Sequence, residues 1–318
     1  MLEYQPGVKK RYESKQQKDS FSGSDGGVCY KDTVRRREPM KRVIAAATGL
    51  LGLYLFAVKP SSRHRWLDEM KGRLYAHRGL HDNRGGAPEN SLAALAKAVE
   101  NGYGIELDVQ LSQDGIPVVF HDHLLARAAR DETGQPVSGA VSDYTLEELR
   151  RFHLFDSEEK IPLFSEVLSL VNGAVPLIVE IKAEMGSDCE TLCQKADQLL
   201  SKYPGKYVVE SFHPMAVLWY RRHRPEIIRG QLSDGFLRET GKLRYLPVEY
   251  LLTNLRTRPD FIAYNWEYEA NPSRRIAAKL FHCPSVAWTI QSQDTLNRMR
   301  KKFDLLIFDS FIPREEEV

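Results

Sequence analysis

The feature that most restricts the fold of this chain is a connection too short for a crossover. Runs 104–109 (GIELDV) and 117–121 (PVVFH) both read as strands, and they are joined through LSQDG. A parallel crossover needs a dozen or more residues, so the two runs form an antiparallel hairpin turned at Asp114-Gly115. Around the hairpin, from Gly72 onward, short β-rich runs alternate with helical patterns, which is the mark of βα units. The strand candidates are Leu74–His77, 104–109, 117–121, 176–181, Tyr207–Ser211, 227–231, 261–264, 285–289 and Leu305–Phe308. Helical periodicity falls at 90–101, 145–152, Phe164–Val171, 188–202, 215–223, 247–255, 273–281 and 294–301, with Asn90, Thr145 and Asp188 as caps. Removing the returning hairpin arm leaves eight staves over about 240 residues, the size of a (β/α)8 TIM barrel. An open doubly wound sheet is the alternative.

Residues 1–40 are polar, basic and rich in Ser and Gly, and read as a disordered tail. Met40, followed by a basic pair and an apolar run, has the form of a second start, so translation from Met1 or from Met40 is left open. The 16 uncharged residues 43–58 span about 24 Å as a helix, against about 30 Å for a hydrocarbon core. Snorkelling Lys41, Arg42 and Lys59 cover the deficit. No small-x-small cleavage site follows, so 41–59 reads as a single-pass membrane anchor, ahead of a cleaved signal peptide or a helix packed on the domain. Six basic residues precede the run from position 31 and five follow it to position 73, which leaves the side of the membrane undetermined. Residues 60–71 then form a linker and 72–314 the barrel. A net charge of +2 argues against nucleic acid as a partner. Cys29, Cys189, Cys193 and Cys283 are too scattered for a disulfide framework or a zinc knuckle and read as free thiols.

The chemistry concentrates at strand ends. Side chains alternate along a strand, so Glu106, Asp108 and Gln110 share one face while Ile105, Leu107, Val109 and Leu111 share the other. The apolar set packs under the outer helices and leaves the acids facing the barrel axis near its C-terminal mouth. A two-residue hairpin loop sets His121 opposite Asp108, and a four-residue loop sets it opposite Glu106; a three-residue loop flips it away from the acids. Glu180 of PLIVEIK adds a third acid, with Lys182 on the same face. Carboxylates crowded away from water need a compensating cation, and an all-oxygen donor set favours Mg²⁺ or Ca²⁺ over Zn²⁺. The first stave delivers His77 and Arg78 to the same mouth. Two imidazoles that titrate near neutrality can divide the work of base and acid, and Arg78 and Lys182 supply fixed charge for a phosphate. Each of these side chains alone is more simply a structural ion pair; together at strand ends they point to phosphoryl transfer.

In order, the chain carries AHRG at 76, PENSLAAL at 88, IELDVQLSQDGIPVVFHD at 105, IPLFSEVL at 161, IVEIK at 178, ESFHP at 210, AWTI ending at Ile290 and FDLLIFDSF at 303. The set resembles the glycerophosphodiester phosphodiesterase family over residues 73–313. The resemblance implies a (β/α)8 barrel in which His77 and His121 are the catalytic pair, Glu106, Asp108 and Glu180 hold the divalent ion, and Arg78 and Lys182 contact phosphate. It implies hydrolysis of glycerophosphodiesters, which are phospholipid-derived, to sn-glycerol 3-phosphate and an alcohol. By similarity to related phospholipase C barrels, the glycerol 2-hydroxyl attacks first and water opens the cyclic phosphate. Glu89 either orients Arg78 and the metal shell or caps the following helix, and Trp288 either lines the substrate mouth or packs on the barrel. His213 reads as structural, and His81 and His123 as rim residues. Gln291 and Phe308 depart from the family pattern, which has Asn and Thr there, and on the expectation that both sit near the mouth they bear on specificity. Two alternatives stand beside this function: a lysophospholipase D or phospholipase C type hydrolase of membrane lipids, and an inactive phosphodiester-binding barrel. Oligomeric state is not readable from the sequence.

Overall fold

Eight parallel strands close on themselves in a computed structural model that describes residues 31–61, 67–184 and 187–314. In chain order the strands are β1 (Leu74–His77), β2 (Gly104–Leu111), the hairpin arm β3 (Pro117–Val119), β4 (Leu177–Ile181), β5 (Tyr207–Ser211), β6 (Arg229–Ser233), β7 (Phe261–Asn265), β8 (Ser285–Ile290) and β9 (Leu305–Phe308). Each parallel strand pairs with its neighbour, and β1 pairs with both β2 and β9, which shuts the barrel. β3 runs antiparallel to the end of β2, as the short connection requires. The open-sheet alternative is thereby excluded.

Period-two alternation sorts the barrel into layers. Ile105, Leu107, Val109, Leu177, Val179 and Ile181 are buried outward, against the helices. Tyr75, Ile178, Val208 and Ile307 are buried inward and fill the barrel foot. Two residues further along the same faces stand His77, Glu180, Glu210 and Asp309, so each inward face changes from apolar to ionisable as it nears the mouth. The foot is closed by Leu67–Met70, a short helix inside the expected linker: Met70 is buried among the inward residues, and its carbonyl accepts from the Tyr75 hydroxyl at 3.0 Å.

Several element boundaries differ from the sequence expectation. The helix expected at 90–101 is Leu92–Glu100, and its cap is Ser91, which accepts from the Ala94 N–H, rather than Asn90. Thr145 and Asp188 do cap their helices. The helix expected at 247–255 divides into Leu246–Glu249 and Asn254–Thr257. Strand β6 lies two residues later than 227–231. Residues 121–163 fold back over β3 and bury Phe120, Leu125, Leu149, Leu154 and Ile161 in a satellite core. Phe308 is 1% exposed and packs edge-on against Tyr103 at 4.9 Å, on the outer layer and not at the mouth. Cys189, Cys193 and Cys283 are free and buried; Cys29 lies outside the described residues.

An apolar helix precedes the barrel. It starts at Lys31, ahead of the expected anchor, so part of the tail read as disordered is helical; residues 1–30 lie outside the described residues. Its window Met40–Val58 has a mean hydropathy of 1.5 and is long and apolar enough to cross a membrane. The chain divides into two compact units, residues 1–49 and 50–318. Within the second, the helix end is pinned to the barrel wall. Tyr54 Oη lies 2.7 Å from Ser273 Oγ, Asn254 Nδ2 donates to Val58 O at 2.9 Å, and Arg258 Nη1 donates to Phe56 O and Lys59 O at 3.0 and 2.5 Å.

Barrel closure at the β1–β2 seam depends on a missing side chain. Gly104 pairs with Tyr75, and a Cβ there would lie 2.4 Å from the Tyr75 ring, which is itself fully buried. Gly104→Ala is therefore expected to cost about 1–3 kcal/mol through overpacking. A lowered melting temperature of the full chain in thermal unfolding checks this; an unchanged one would show that the Tyr75 ring moves freely.

Candidate active site

The strand ends gather the ionisable residues as alternation requires. One carboxylate oxygen each from Glu106, Asp108 and Glu180 lie within 4.8 Å of one another, and all three residues are buried. β2 and β4 produce this directly, because their register sets Asp108 beside Glu180. Lys182 Nζ donates to Asp108 Oδ1 and Glu180 Oε2, both at 3.0 Å. Asn90 Nδ2 donates to Asp108 Oδ2 at 2.9 Å, and Arg78 Nε stands 3.6 Å from the same oxygen. The backbone bends to allow it: Arg78 and Asn90 adopt φ of +56° and +59°. Left-handed backbone is uncommon for an arginine, and here it turns the Arg78 N–H onto Glu106 Oε2 at 3.2 Å.

His121 reaches the acid cluster by a route that alternation alone does not give. The observed register pairs Leu111 with Pro117 and Val109 with Val119. Ser112 N donates to Ile116 O and Gly115 takes φ +73°, which makes a three-residue loop ending in a left-handed glycine. Neither the two-residue nor the four-residue register occurs, and continued strand geometry would turn His121 away from the acids. The strand stops at Val119 instead. Gln110 Nε2 donates to Phe120 O, His121 O and Asp122 O at 2.8, 3.3 and 2.8 Å, and this amide clamp swings the segment back over the mouth. His121 then lines a cavity of about 610 Å³ together with Glu180, Lys182 and Phe212.

Each imidazole has a carboxylate partner. His77 Nδ1 lies 2.9 Å from Asp309 Oδ2, which leaves Nε2 directed to the acid cluster, 3.8 Å from Glu106 Oε2. His121 Nδ1 lies 2.6 Å from Asp122 Oδ1. Burial, seconded by the Arg78 charge, pushes His77 down to about 4 against the pull of Asp309, so the ring is neutral at pH 7. This departs from the expected near-neutral titration. Burial and the neighbouring charges of Asp108, Glu180 and Glu210 push Glu106 well above the usual carboxylate range. Burial opposes the charge on Asp108 too, but Lys182, His121 and Arg78 outweigh it and hold this carboxyl well below that range.

Asp309, Asp122, Arg127 and Glu210 were not singled out from the sequence, and Asn90 was read there only as a cap. Asp309 and Glu210 follow the same strand-end rule as Glu180 and could have been found by it. Arg127 has no such signal. Its guanidinium meets Glu89 Oε1 and Oε2 at 2.5 and 2.8 Å and Asp122 Oδ2 at 2.5 Å, while Glu89 Oε1 also accepts from Arg78 Nη1 at 2.6 Å. Glu89 thus pairs with Arg78, and Ser91, not Glu89, caps the following helix. Trp288 packs edge-to-face on Phe212 at 5.5 Å and so backs the cavity wall. His213 caps the helix Pro214–His223, accepting from the Met215 N–H, as a structural residue does. His81 Nε2 lies 3.0 Å from Asp309 Oδ1, and the half-exposed His123 pairs with Glu184 at 3.0 Å.

A closed barrel whose C-terminal mouth carries buried acids, partnered imidazoles and fixed cations is the build of a barrel enzyme. The chain belongs to the glycerophosphoryl diester phosphodiesterase family, whose model matches residues 77–308. Members of that family are phosphoric diester hydrolases. Among its relatives, human glycerophosphodiester phosphodiesterase 1 is 30% identical over 210 residues, 60% of this chain and 59% of that protein. A glycerophosphodiester phosphodiesterase of Caldanaerobacter subterraneus subsp. tengcongensis is 40% identical over 124 residues, 37% of this chain and 47% of that one. This chain therefore spans well under two thirds of the length of either relative. The fold is shared with a Silicibacter pomeroyi glycerophosphoryl diester phosphodiesterase structure (TM-score 0.62, 22% identity, 76% of this chain and 92% of that one). It is shared also with an Oleispira antarctica phosphodiesterase solved with the product sn-glycerol 3-phosphate (TM-score 0.59, 23% identity, 76% and 94%).

Glu89 gives the site a pH-dependent contribution to stability. Burial raises its proton affinity, but Arg127 and Arg78 overcome this and lower the carboxyl from 4.5 to about 2. Between those values the unfolded chain binds more protons, so the contribution is complete above pH 4.5 and is lost as pH falls towards 2. At pH 7 Glu89→Gln is expected to cost about 3 kcal/mol. Denaturant unfolding of both proteins should show the gap closing below pH 4.5; a gap independent of pH would reject the ion-pair origin.

Proposed function

We propose that this chain hydrolyses glycerophosphodiesters to sn-glycerol 3-phosphate and an alcohol. One observation carries the proposal: the buried trio Glu106, Asp108 and Glu180 lies within reach of His77 Nε2 and Lys182 at a parallel barrel's mouth. Family membership and the product bound by the Oleispira protein support the substrate class. The donor set is oxygen only, and Glu210 Oε2, buried beside it, has no hydrogen-bond partner among the described residues. Such a set fits a hard divalent cation, Mg²⁺ or Ca²⁺, held by Glu106, Asp108 and Glu180. When bound, the cation would supply Lewis-acid charge beside the phosphate.

The remaining work falls to side chains. Arg78 and Lys182 hold the phosphate oxygens, the first as a planar fork and the second as a point charge. Neutral His77, its tautomer fixed through Nδ1 by Asp309, presents Nε2 as the base that takes the proton of the glycerol 2-hydroxyl as that oxygen attacks phosphorus to form the cyclic phosphate. His121, oriented by Asp122, stands at the cavity to protonate the leaving alcohol, and the two exchange roles when water completes the hydrolysis. Glu89 and Arg127 fix Arg78 and Asp122, and Trp288 supports the substrate wall through Phe212. Residues 72–314 form the catalytic barrel and 41–59 a single-pass membrane anchor whose last turn, from Tyr54, is held against the barrel wall. Hydrolysis of lysophospholipids within the bilayer is the second substrate class, favoured by the apolar helix Met40–Val58.

The test uses purified full chain, stripped by a chelator and assayed on glycerophosphocholine and on a lysophospholipid with Mg²⁺ or Ca²⁺ restored. Release of glycerol 3-phosphate only after metal return is expected. His77→Ala and His121→Ala should each lose about 10²–10⁴-fold in kcat with unchanged circular dichroism. Full turnover in either variant would overturn the two-histidine mechanism, and activity on the lysolipid alone would replace the proposed substrate class. Resistance of the chain to alkaline extraction from membranes tests the anchor separately.

A further inference from the structure

Seven large apolar side chains are exposed among the described residues of the barrel; Leu252, Leu255 and Leu280 lie in the segments that lead into β7 and β8, and the other four stand elsewhere. Leu124, Met215, Leu243 and Ile312 are 57%, 51%, 68% and 70% exposed. Met215, Leu243 and Ile312 follow the C-terminal ends of the parallel strands β5, β6 and β9, Met215 in the first turn of the helix Pro214–His223, and Leu124 lines the cavity beside His121, so these four stand around the mouth. Leu243 belongs to the segment 236–245, FLRETGKLRY, in the long excursion between β6 and β7. Leu243 sits between Lys242 and Arg244, all three are exposed with Arg238, and Glu239 is the one acid in the segment. Arg244 and Arg238 lie over the rings of Tyr245 and Tyr268 at 4.8 and 5.8 Å.

This segment is continuous with the active site through a wall of aromatic rings. Tyr245 stacks on Phe236 at 5.1 Å, Phe236 meets Phe212 at 5.7 Å, and Phe212 meets Trp288 at 5.5 Å. Phe212 lines the cavity that holds His121 and Lys182. The wall joins the apolar rim to the place where the phosphate reacts.

We infer that the rim of the barrel mouth, centred on residues 236–245, docks on the surface of an anionic phospholipid bilayer. Leu243 enters the headgroup boundary while Arg238, Lys242 and Arg244 meet lipid phosphates. Three observations select a bilayer over a protein partner. The apolar points are single residues on separate segments around an opening, which suits a deformable surface and not a shape-matched one. The cations flanking Leu243 complement anionic lipid. The third is continuity with the apolar helix inside the barrel unit. Tyr54 meets Ser273, in the first turn of the helix after β7, whereas Ser61 N donates to Pro259 O just before β7 begins. The chain from Tyr54 to Ser61 thus descends the wall from mouth to foot, and the exposed Leu50, Leu51 and Leu53 precede it on the mouth side.

Hydrogen exchange of the full chain in vesicles of phosphatidylcholine, with and without phosphatidylserine, tests the docking. Peptides covering 236–245 are expected to slow in the anionic vesicles only. Leu243→Asp and the triple variant R238E/K242E/R244E should lose that protection while turnover of soluble glycerophosphocholine is unchanged. Each cation near an anionic surface is worth about fivefold in binding, so the protection of 236–245 in these vesicles should fall by tenfold or more in the triple variant. Equal exchange of 236–245 in both vesicle types would overturn the inference. The anchor is read independently from exchange at 40–58, and the hydrolase from the soluble assay, so failure of either does not mimic failure of the docking.

Discussion

Three buried carboxyl groups bring one oxygen each within 4.8 Å of one another, and much of the mouth is arranged around them. An unpaired buried charge costs several kcal/mol, so each acid must be answered nearby. Lys182 and Asn90 answer directly. Arg78 answers from a left-handed backbone and is itself held by Glu89, which is held by Arg127, which also holds Asp122 and through it His121. The chain of alternating charge runs from the barrel axis outward and ends at Arg127, whose side chain is 45% exposed. The stability of the mouth and the placement of His121 therefore rest on the same ion pairs.

The barrel suits this cost because its two ends differ. At the foot the inward faces are apolar and closed by Tyr75 and Met70; two residues on, the same faces carry the acids and His77. The apolar layer holds the strands at fixed spacing, so that the register of β2 against β4 alone brings Asp108 and Glu180 together. Rigid strands aim the acids and Lys182. Loops supply His121, Arg127 and the rim, where sequence can vary without disturbing closure.

Much of the fold was legible because local patterns report on it. Strand alternation identified Glu106, Asp108, Glu180 and Lys182 as one inward set, and the LSQDG connection forced the hairpin. The cap assignment failed at Asn90 because that side chain is drawn to Asp108, 18 residues away in sequence, leaving Ser91 to cap. The expected helix 247–255 divides where Asn254 turns to the Val58 carbonyl, a contact across the chain that periodicity does not carry. Phe308 looked like a mouth residue by position but alternates outward, as its neighbours Leu306 and Tyr103 show.

By itself the sequence determined which side chains face inward and that a barrel mouth would collect them, since period-two alternation and connection length are properties of the local chain. Tertiary structure decided how His121 arrives. The hairpin adopts the register that should turn it away, and the Gln110 amide, bonded to three successive carbonyls, brings it back. It also decided the partners Asp309 and Arg127, each joined to residues far away in sequence. Such pairings depend on the closure of the whole barrel, and no local spacing encodes them.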